Sequence, residues 1–328
     1  MGTSGSTGHP KLAMLTGPAL WASADATHHR LGGGGQWLLA LPAHHIAGIQ
    51  VLVRSLVAHT TPVCMDTADG FTTAAFVRAT AQIAAHSRAY TALVPTQLVW
   101  LLSSAHGRKA LTRYAAVLLG GAAAPANLLS QASDLGVRVV TTYGMSETAG
   151  GCIYDGRALD VSRVQLEGDG RIRLGGATLA RGYLGDPDLT ARSFSEGMNG
   201  GAWFRTDDVG HFDEGRLVVD GRIDDLVNTG GLKVVPRLVE EALVQLDTIA
   251  EAVVVGTRDA EWGQVVSAAV VLTRGTTAPT LDEVRDQLRG ILPGHALPRR
   301  LATLPELPAR GPGKPDRAAV RRLFDDHG

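Results

Sequence analysis

Apolar residues recur at a helical spacing early in the chain, at Ile49, Leu52, Val53 and Leu56, and the run closes at Pro62-Val63. Residues 71–85 predict a second helix, and the glycines of residues 32–35 a turn before the apolar segment 37–41. Two short apolar runs follow. Residues 115–119 lead into Gly120-Gly121-Ala122, and residues 137–141 into Thr142-Tyr143-Gly144. Buried strands alternating with helices predict a mostly parallel sheet. Ligands in such sheets lie at the carboxyl ends of the strands, which is where these small-residue loops converge.

From about Gly156 the pattern changes to turns and alternating strands. Glu167-Gly168-Asp169-Gly170 and Asp213-Glu214-Gly215 each join a pair, predicting an antiparallel part. Residues 221–231, rich in Gly and Asp, suit a linker or hinge. A small α+β unit follows. Pro236 suits the first position of a helix with Val239, Leu243 and Leu246 on one face. Residues 252–256 and 265–272 predict strands. Thr280 and Glu283 form a capping box ahead of Leu281, Val284, Leu288 and Ile291, expected inward, and a last helix starts near Arg317.

Composition narrows the chemistry. With 328 residues, 45% of them hydrophobic, the chain can build two domains. Its 31 basic and 32 acidic residues give no electrostatic case for nucleic acid. Cys64 and Cys152 have no metal-ligand spacing, and a reducing compartment is the default. No apolar run reaches the length of a membrane span, and residues 111–129, the nearest, are broken by Arg113, Gly120, Gly121 and Pro125. The expected location is the cytoplasm.

The opening stretch T-S-G-S-T-G-H-P-K holds Thr3, Ser4, Gly5, Ser6, Thr7, Gly8 and Lys11. Hydroxyls, bare backbone N–H groups and a lysine suit phosphate oxygens, because glycine lets the main chain approach closely. The spacing fits neither the Walker nor the dinucleotide pattern, so a flexible tail or tag is the competing reading.

Four later motifs decide between them: Y-G-M-S-E-T from Tyr143, R-T-D-D from Arg205, G-R-I-D-D from Gly221 and G-K-P-D-R from Gly313. In this order, over essentially the whole chain, the five stretches resemble the adenylate-forming superfamily of acyl-CoA ligases, peptide-synthetase adenylation domains and luciferases. L-P-A-H-H-I-A-G and S-E-T-A-G-G-C-I-Y-D-G look like the o-succinylbenzoate–CoA ligase branch of menaquinone synthesis, and V-P-T-Q-L fits the same branch.

The resemblance implies a fold and a set of roles. The fold is α/β with an antiparallel part. A large domain, residues 1–222, combines a mostly parallel sheet with a β-rich subdomain and lacks its N-terminal portion, so that no strand precedes Thr3. A small α+β lid, residues 223–328, turns on a hinge at Asp224. The reaction joins a small-molecule carboxylic acid to coenzyme A through an acyl-adenylate, using ATP and Mg²⁺. A homodimer is a candidate assembly.

In these roles residues 3–11 hold the β- and γ-phosphates, and Glu147 holds Mg²⁺. Tyr143 stacks on adenine, with Gly121 and Ala122 packed against the base and Thr142, Gly144 and Met145 beside the nucleotide. Thr148 donates to the α-phosphate. Asp208 and Arg222 bind the ribose, though Asp207 stands where the family has glycine and leaves the choice of carboxylate open. Lys314 reaches the α-phosphate during adenylation. His45 orients the acid, with His44 its less certain neighbour. Gly230, Gly231 and Lys233 flank the thiol path. Gly150, Gly151 and Cys152 offer backbone donors to a retained carboxylate, and no arginine announces itself for that task. Two alternatives stay open: another acid or a carrier-protein acceptor, and a truncated, non-catalytic nucleotide-binding chain.

Overall fold

The structure, a computed structural model, describes residues 1–3, 11–67, 70–197, 201–309 and 315–325. In order, the elements are β1 (Gly2–Thr3), β2 (Lys11–Leu12), α1 (Gly17–Leu31), β3 (Gln36–Leu39), α2 (Ile46–Val57), β4 (Val63–Cys64), α3 (Thr73–Thr80), β5 (Ala89–Leu93) and α4 (Pro95–Leu102). Next come α5 (Ala105–Leu111), β6 (Ala116–Leu119), α6 (Ala126–Asp134), β7 (Val139–Met145), β8 (Gly150–Tyr154), β9 (Arg157–Ala158), β10 (Ser162–Leu166), β11 (Arg171–Gly176) and α7 (Pro187–Ser193). The rest are β12 (Phe194–Glu196), β13 (Ala202–Asp213), β14 (Arg216–Arg222), β15 (Val227–Thr229), β16 (Leu232–Val234), α8 (Pro236–Val244), β17 (Ile249–Asp259), β18 (Gly263–Leu272), α9 (Leu281–Leu288), β19 (Arg300–Thr303) and α10 (Arg317–Asp325).

A seven-stranded sheet runs β4-β3-β5-β6-β7-β8-β9. Its first five strands pair in parallel, and β8 and β9 reverse direction. Both faces are covered, as a parallel sheet requires. Leu38, Leu93, Val117 and Leu119 pack with Phe76, Leu98, Leu101 and Leu111 from α3 to α5. Trp37, Tyr90, Leu118, Val140 and Tyr154 pack on the opposite face with Ala26 and Leu31 of α1 and Val51 of α2. A second sheet has the order β10-β11-β13-β12, with β14 beside β13, and its β10–β11 and β12–β13 pairs are antiparallel.

The third sheet runs β16-β15-β18-β17, with β19 parallel to β18. Alternation along its strands splits the apolar residues between two faces. Val254, Val266 and Ala268 meet Val239 and Leu243 of α8 and Val284 and Leu288 of α9. Val253, Val255 and Ala269 meet Val320 and Phe324 of α10. The capping box is present, with the Thr280 amide donating to Glu283 at 2.7 Å and the Glu283 amide returning to the Thr280 hydroxyl at 3.3 Å. α9 stops at Leu288, so Ile291 falls beyond it and is exposed, against the expectation for that residue.

The chain divides into two compact units, one of Met1–Gly168, Ile172–Thr206 and Phe212–Val218, the other of Asp169–Arg171, Asp207–His211 and Val219–Gly328. Two sequence expectations change. Residues 71–85 hold one short helix, α3, capped by the Thr72 hydroxyl. The stretch expected as a linker contains β15, and its glycines close the β15–β16 hairpin: Thr229 faces Leu232, and Gly230 and Gly231 have φ of 58° and 82°. Two consecutive left-handed residues form the tight turn that matches strand twist, which is why both are glycine. Among the described residues no helix is long and apolar enough to cross a membrane.

The two thiols differ in environment. Cys64 is exposed, whereas burial pushes Cys152 up to about 12, a hydrogen bond from Thr148 pulling the other way. A thiol is reactive as its thiolate. Ellman's reagent at neutral pH should therefore titrate Cys64 alone in the native chain and both thiols in guanidinium; fast native reaction at Cys152 would contradict this packing.

Candidate active site

Thr3 of β1 stands opposite Lys11 of β2 in an antiparallel pair. A two-residue strand, Gly2–Thr3, thus stands where the sequence announced none, defined by its pairing with Lys11–Leu12. Ser4, Gly5, Ser6, Thr7 and Gly8 lie outside the described residues. The pair is tied down on two sides. The Ser146 hydroxyl donates to the Gly2 carbonyl at 3.0 Å, and the Leu184 amide donates to the Leu12 carbonyl at 2.8 Å. The Lys11 ammonium lies 5.8 Å from the centre of the Tyr183 ring. The Tyr183 hydroxyl donates to Glu147 Oε1 at 2.8 Å, so lysine, ring and buried carboxylate form one group.

Glu147 sits on a short 3-10 turn, Ser146–Thr148, between β7 and β8. The turn ends at Ala149 with φ 51°, a left-handed conformation that costs a non-glycine residue on the order of 1–2 kcal/mol. Two side chains hold it there, the Ser23 hydroxyl at 3.0 Å and Gln50 Nε2 at 2.8 Å, both donating to the Ala149 carbonyl. Thr148 is fully buried, and its hydroxyl accepts from the Met145 amide at 2.9 Å and lies 2.7 Å from the Gly150 carbonyl. At Gly144 a Cβ would come within 2.2 Å of the Gly150 carbonyl oxygen, so the two strands can meet here only through glycine.

Beside this turn, at the carboxyl ends of β5, β6 and the parallel part of β7, lies a cavity of about 130 Å³. Leu41, Ile46, Leu93, Val94 and Leu118 supply apolar wall, and Gly120, Gly121, Gly144, Gly150 and Gly151 supply backbone. Gln50, Arg54, Thr142 and Tyr154 supply polar atoms, and Arg54 is the one charged side chain among the described residues of the lining.

Arg54 is 3% exposed. Its Nη2 donates to the Tyr154 hydroxyl at 3.2 Å, and its guanidinium lies 5.0 Å from the centre of the Trp37 ring. Nε is buried without a hydrogen-bond partner, as is Gln50 Oε1. Among the described residues no carboxylate pairs with Arg54. Burial lowers its pKa, opposed by Tyr154. Trp37 in turn donates from Nε1 to His28 Nε2 at 3.2 Å, which requires the imidazole to be neutral on that nitrogen. Burial, assisted by the Arg54 charge and opposed by Asp25, lowers His28 to about 4.

α2 brings Arg54 here because its buried stripe is Gly48, Gln50, Val51, Arg54 and Ser55. The apolar positions that mark the helix in sequence lie elsewhere: Ile49, Leu52 and Val53 are only partly buried, and Leu56 is 69% exposed. The polar stripe faces in because the cavity and the Ala149 carbonyl need its donors. A charged residue three places after a buried valine was the available signal.

Residues 1–178 match the family model described as AMP-binding enzyme, and residues 238–314 match the model of the AMP-binding enzyme C-terminal domain. The chain belongs to the AMP-binding enzyme family. It is 46% identical, over 98% of its own length and 83% of the relative's, to the probable 2-succinylbenzoate–CoA ligase of Mycobacterium tuberculosis strain CDC 1551. Among solved structures it resembles o-succinylbenzoate CoA synthetase (MenE) from Bacillus subtilis in complex with the acyl-adenylate intermediate OSB-AMP, at TM-score 0.82 and 27% identity, covering 98% of this chain and 68% of that one. ATP-bound MatB from Rhodopseudomonas palustris gives TM-score 0.85 at 25% identity, covering 100% of this chain and 68% of that one.

In this AMP-binding enzyme the expected residues fall into three groups. Thr142, Gly144, Gly150, Gly151 and Gly121 line the cavity. Tyr143 and Met145 are half-buried on β7, Ala122 is exposed beyond β6, and His44 and His45 are exposed just before α2, their rings 4.3 Å apart, with neither in the cavity wall. Cys152 is buried away from the wall. In the second unit, Arg222 lies 3.4 Å from Asp207, 3.7 Å from Asp208 and 3.9 Å from Asp224, and Asp207 also lies 3.8 Å from Arg171. Asp208 is the less exposed carboxylate of the motif pair, 14% against 47%. Gly230, Gly231 and Lys233 are exposed on the hairpin, and Lys314 lies outside the described residues.

His28 gives this site a pH signature. Between its ordinary value of 6.5 and about 4 the unfolded chain takes up the proton and the folded chain does not. Stability should therefore fall as pH drops through that window, by up to ~3 kcal/mol at the acid end. Urea unfolding of wild type against His28→Gln, which keeps an acceptor for Trp37, should show a flatter pH dependence in the variant. Identical slopes would mean that His28 titrates normally.

Proposed function

We propose that this chain converts 2-succinylbenzoate to its acyl-adenylate with ATP and then transfers the acyl group to coenzyme A. The observation that carries the substrate is Arg54, a buried cation facing the cavity with a partnerless Nε. An isolated buried charge is expensive, and a second carboxylate on the acid would supply the missing partner. An apolar wall with one cation suits an aromatic acid that keeps one carboxylate and activates the other. The names of the relatives support the same assignment.

In the first half-reaction an oxygen of the aliphatic carboxylate attacks the α-phosphorus of ATP, and pyrophosphate leaves. Residues 3–11 hold the β- and γ-phosphates, their approach braced by the β1–β2 pair. Tyr143, Gly121 and Ala122 take the adenine, and Asp208 with Arg222 the ribose. Lys314 meets the charge that grows on the α-phosphate, where a placed cation has most effect. Glu147 suits Mg²⁺, which binds through one or two carboxylates together with phosphate oxygens rather than in an all-protein cage, and among the described residues no cluster of three ligands competes. Held there, the ion would offset phosphate charge. In the second half-reaction the coenzyme A thiolate attacks the acyl carbon, and AMP leaves. Rotation of residues 223–328 about Asp224 withdraws Lys314 and brings Gly230, Gly231 and Lys233 to the thiol path. His45 orients the acid at the mouth. The use of ATP and coenzyme A supports a cytoplasmic location.

ATP–pyrophosphate exchange across a panel of acids tests the assignment. 2-Succinylbenzoate should give the fastest exchange, and Arg54→Gln should lower its kcat/KM about a hundredfold, the scale of a lost buried charge partner. Exchange with other acids only, or with none, would overturn the proposal. Separately, Lys314→Ala should slow adenylation by about 10²-fold or more while sparing thioester formation from preformed acyl-adenylate. Equal loss in both half-reactions would contradict the rotation.

A further inference from the structure

Three buried groups of unit one form a chain of hydrogen bonds that starts at Thr27, behind the cavity wall, and runs through Tyr154 to Arg54, both in the wall. Thr27 Oγ1 lies 2.7 Å from the Ser23 carbonyl oxygen and 2.9 Å from the Tyr154 hydroxyl, and Tyr154 lies 3.2 Å from Arg54 Nη2. Thr27 and Tyr154 have no exposed surface. The protons can be assigned by counting. A carbonyl only accepts, so the single proton of Thr27 goes to Ser23. The contact between the two hydroxyls is then a donation from Tyr154 to Thr27. That leaves Tyr154 only lone pairs to offer Arg54, whose Nη2 donates. Every donor points the same way, from guanidinium to phenol to hydroxyl to the backbone of α1. A phenol that donates onward is a better acceptor for a cation, because successive hydrogen bonds polarise one another.

The other end of Tyr154 is fixed as well, since Arg30 Nη2 donates to its carbonyl at 3.0 Å. The chain thus connects α1, β8 and α2 at one atom of the guanidinium. Trp37 confines the guanidinium face, and Nε stays without a partner. Thr27 is not part of the cavity wall.

We propose that Thr27, acting through Tyr154, is a positioning residue that holds the Arg54 guanidinium in register for the second carboxylate of the acid, and so sets the preference for a diacid over a monoacid. This rests on the assignment of Arg54 to that carboxylate. Without the Thr27 hydroxyl, Tyr154 loses the acceptor for its proton, and its oxygen no longer has to face Arg54.

The test compares kcat/KM for 2-succinylbenzoate with that for 4-oxo-4-phenylbutanoate, the same acid without the aromatic carboxylate. Thr27→Val keeps the shape and removes the hydroxyl. It should lower the diacid-to-monoacid ratio about tenfold, mainly through KM for the diacid, the scale of one charge-assisted hydrogen bond. Thr27→Ser should keep the ratio near wild type. If Thr27→Val does not fold, Tyr154→Phe removes the same link and should give the same loss. A fall in both acids alike would mark a structural role and overturn the proposal, as would equal losses in the Ser and Val variants. If Arg54→Gln collapses the ratio while Thr27→Val and Tyr154→Phe leave it intact, the positioning role fails and the Arg54 assignment stands. If Arg54→Gln leaves the ratio unchanged, that assignment fails and the positioning role with it.

Discussion

At the centre of the first unit lies a cation with which no carboxylate pairs among the described residues. Arg54 sits on the buried stripe of a helix, against a tryptophan face and one tyrosine hydroxyl, with an empty donor at Nε. Burying such a group is tolerable because the guanidinium is weakly hydrated and spreads its charge over a plane that can lie on a ring. The surrounding packing follows from that requirement. Trp37 needs an acceptor and finds neutral His28, while Gln50 leaves its outward helical role to brace the Ala149 turn. The charge is offset only in part, and the remainder is what a bound acid would meet.

The same turn lies between Glu147 and the cavity wall. Ala149 is held left-handed by Ser23 and Gln50 from α1 and α2, and the residues before it place Glu147 under the Tyr183 hydroxyl. The residues after it, Gly150 and Gly151, form cavity wall. A displacement of α2 would therefore act on Glu147 and on the cavity together. Glycine at 144 is what allows β7 and β8 to approach closely enough for this arrangement.

Most of the fold was legible because it rests on local rules. Parallel strands announce themselves as short apolar runs ending in small residues, and the capping box at Thr280 and the proline at 236 mark their helices directly. The phosphate-side assignments rest on motif order, and residues 4–8 and 314 lie outside the described residues. The cavity lining was not legible. Arg54 and Gln50 lie on a helix whose apolar residues Ile49, Leu52 and Val53 are only partly buried and whose Leu56 is exposed, so periodicity pointed to the wrong stripe. Tyr154 and Tyr183 act through partners more than thirty residues distant, which no local pattern contains. The β1 strand escaped notice because two residues have no periodicity, and only pairing with Lys11–Leu12 defines it.

The central claim is that the buried guanidinium is held for a second carboxylate. Calorimetric titration with a stable acyl-adenylate mimic, compared with the same compound methylated on its aromatic carboxylate, tests this most directly. The free carboxylate should bind about a hundredfold or more tightly, as expected for a desolvated charge pair. Equal affinities for the two compounds would contradict the account.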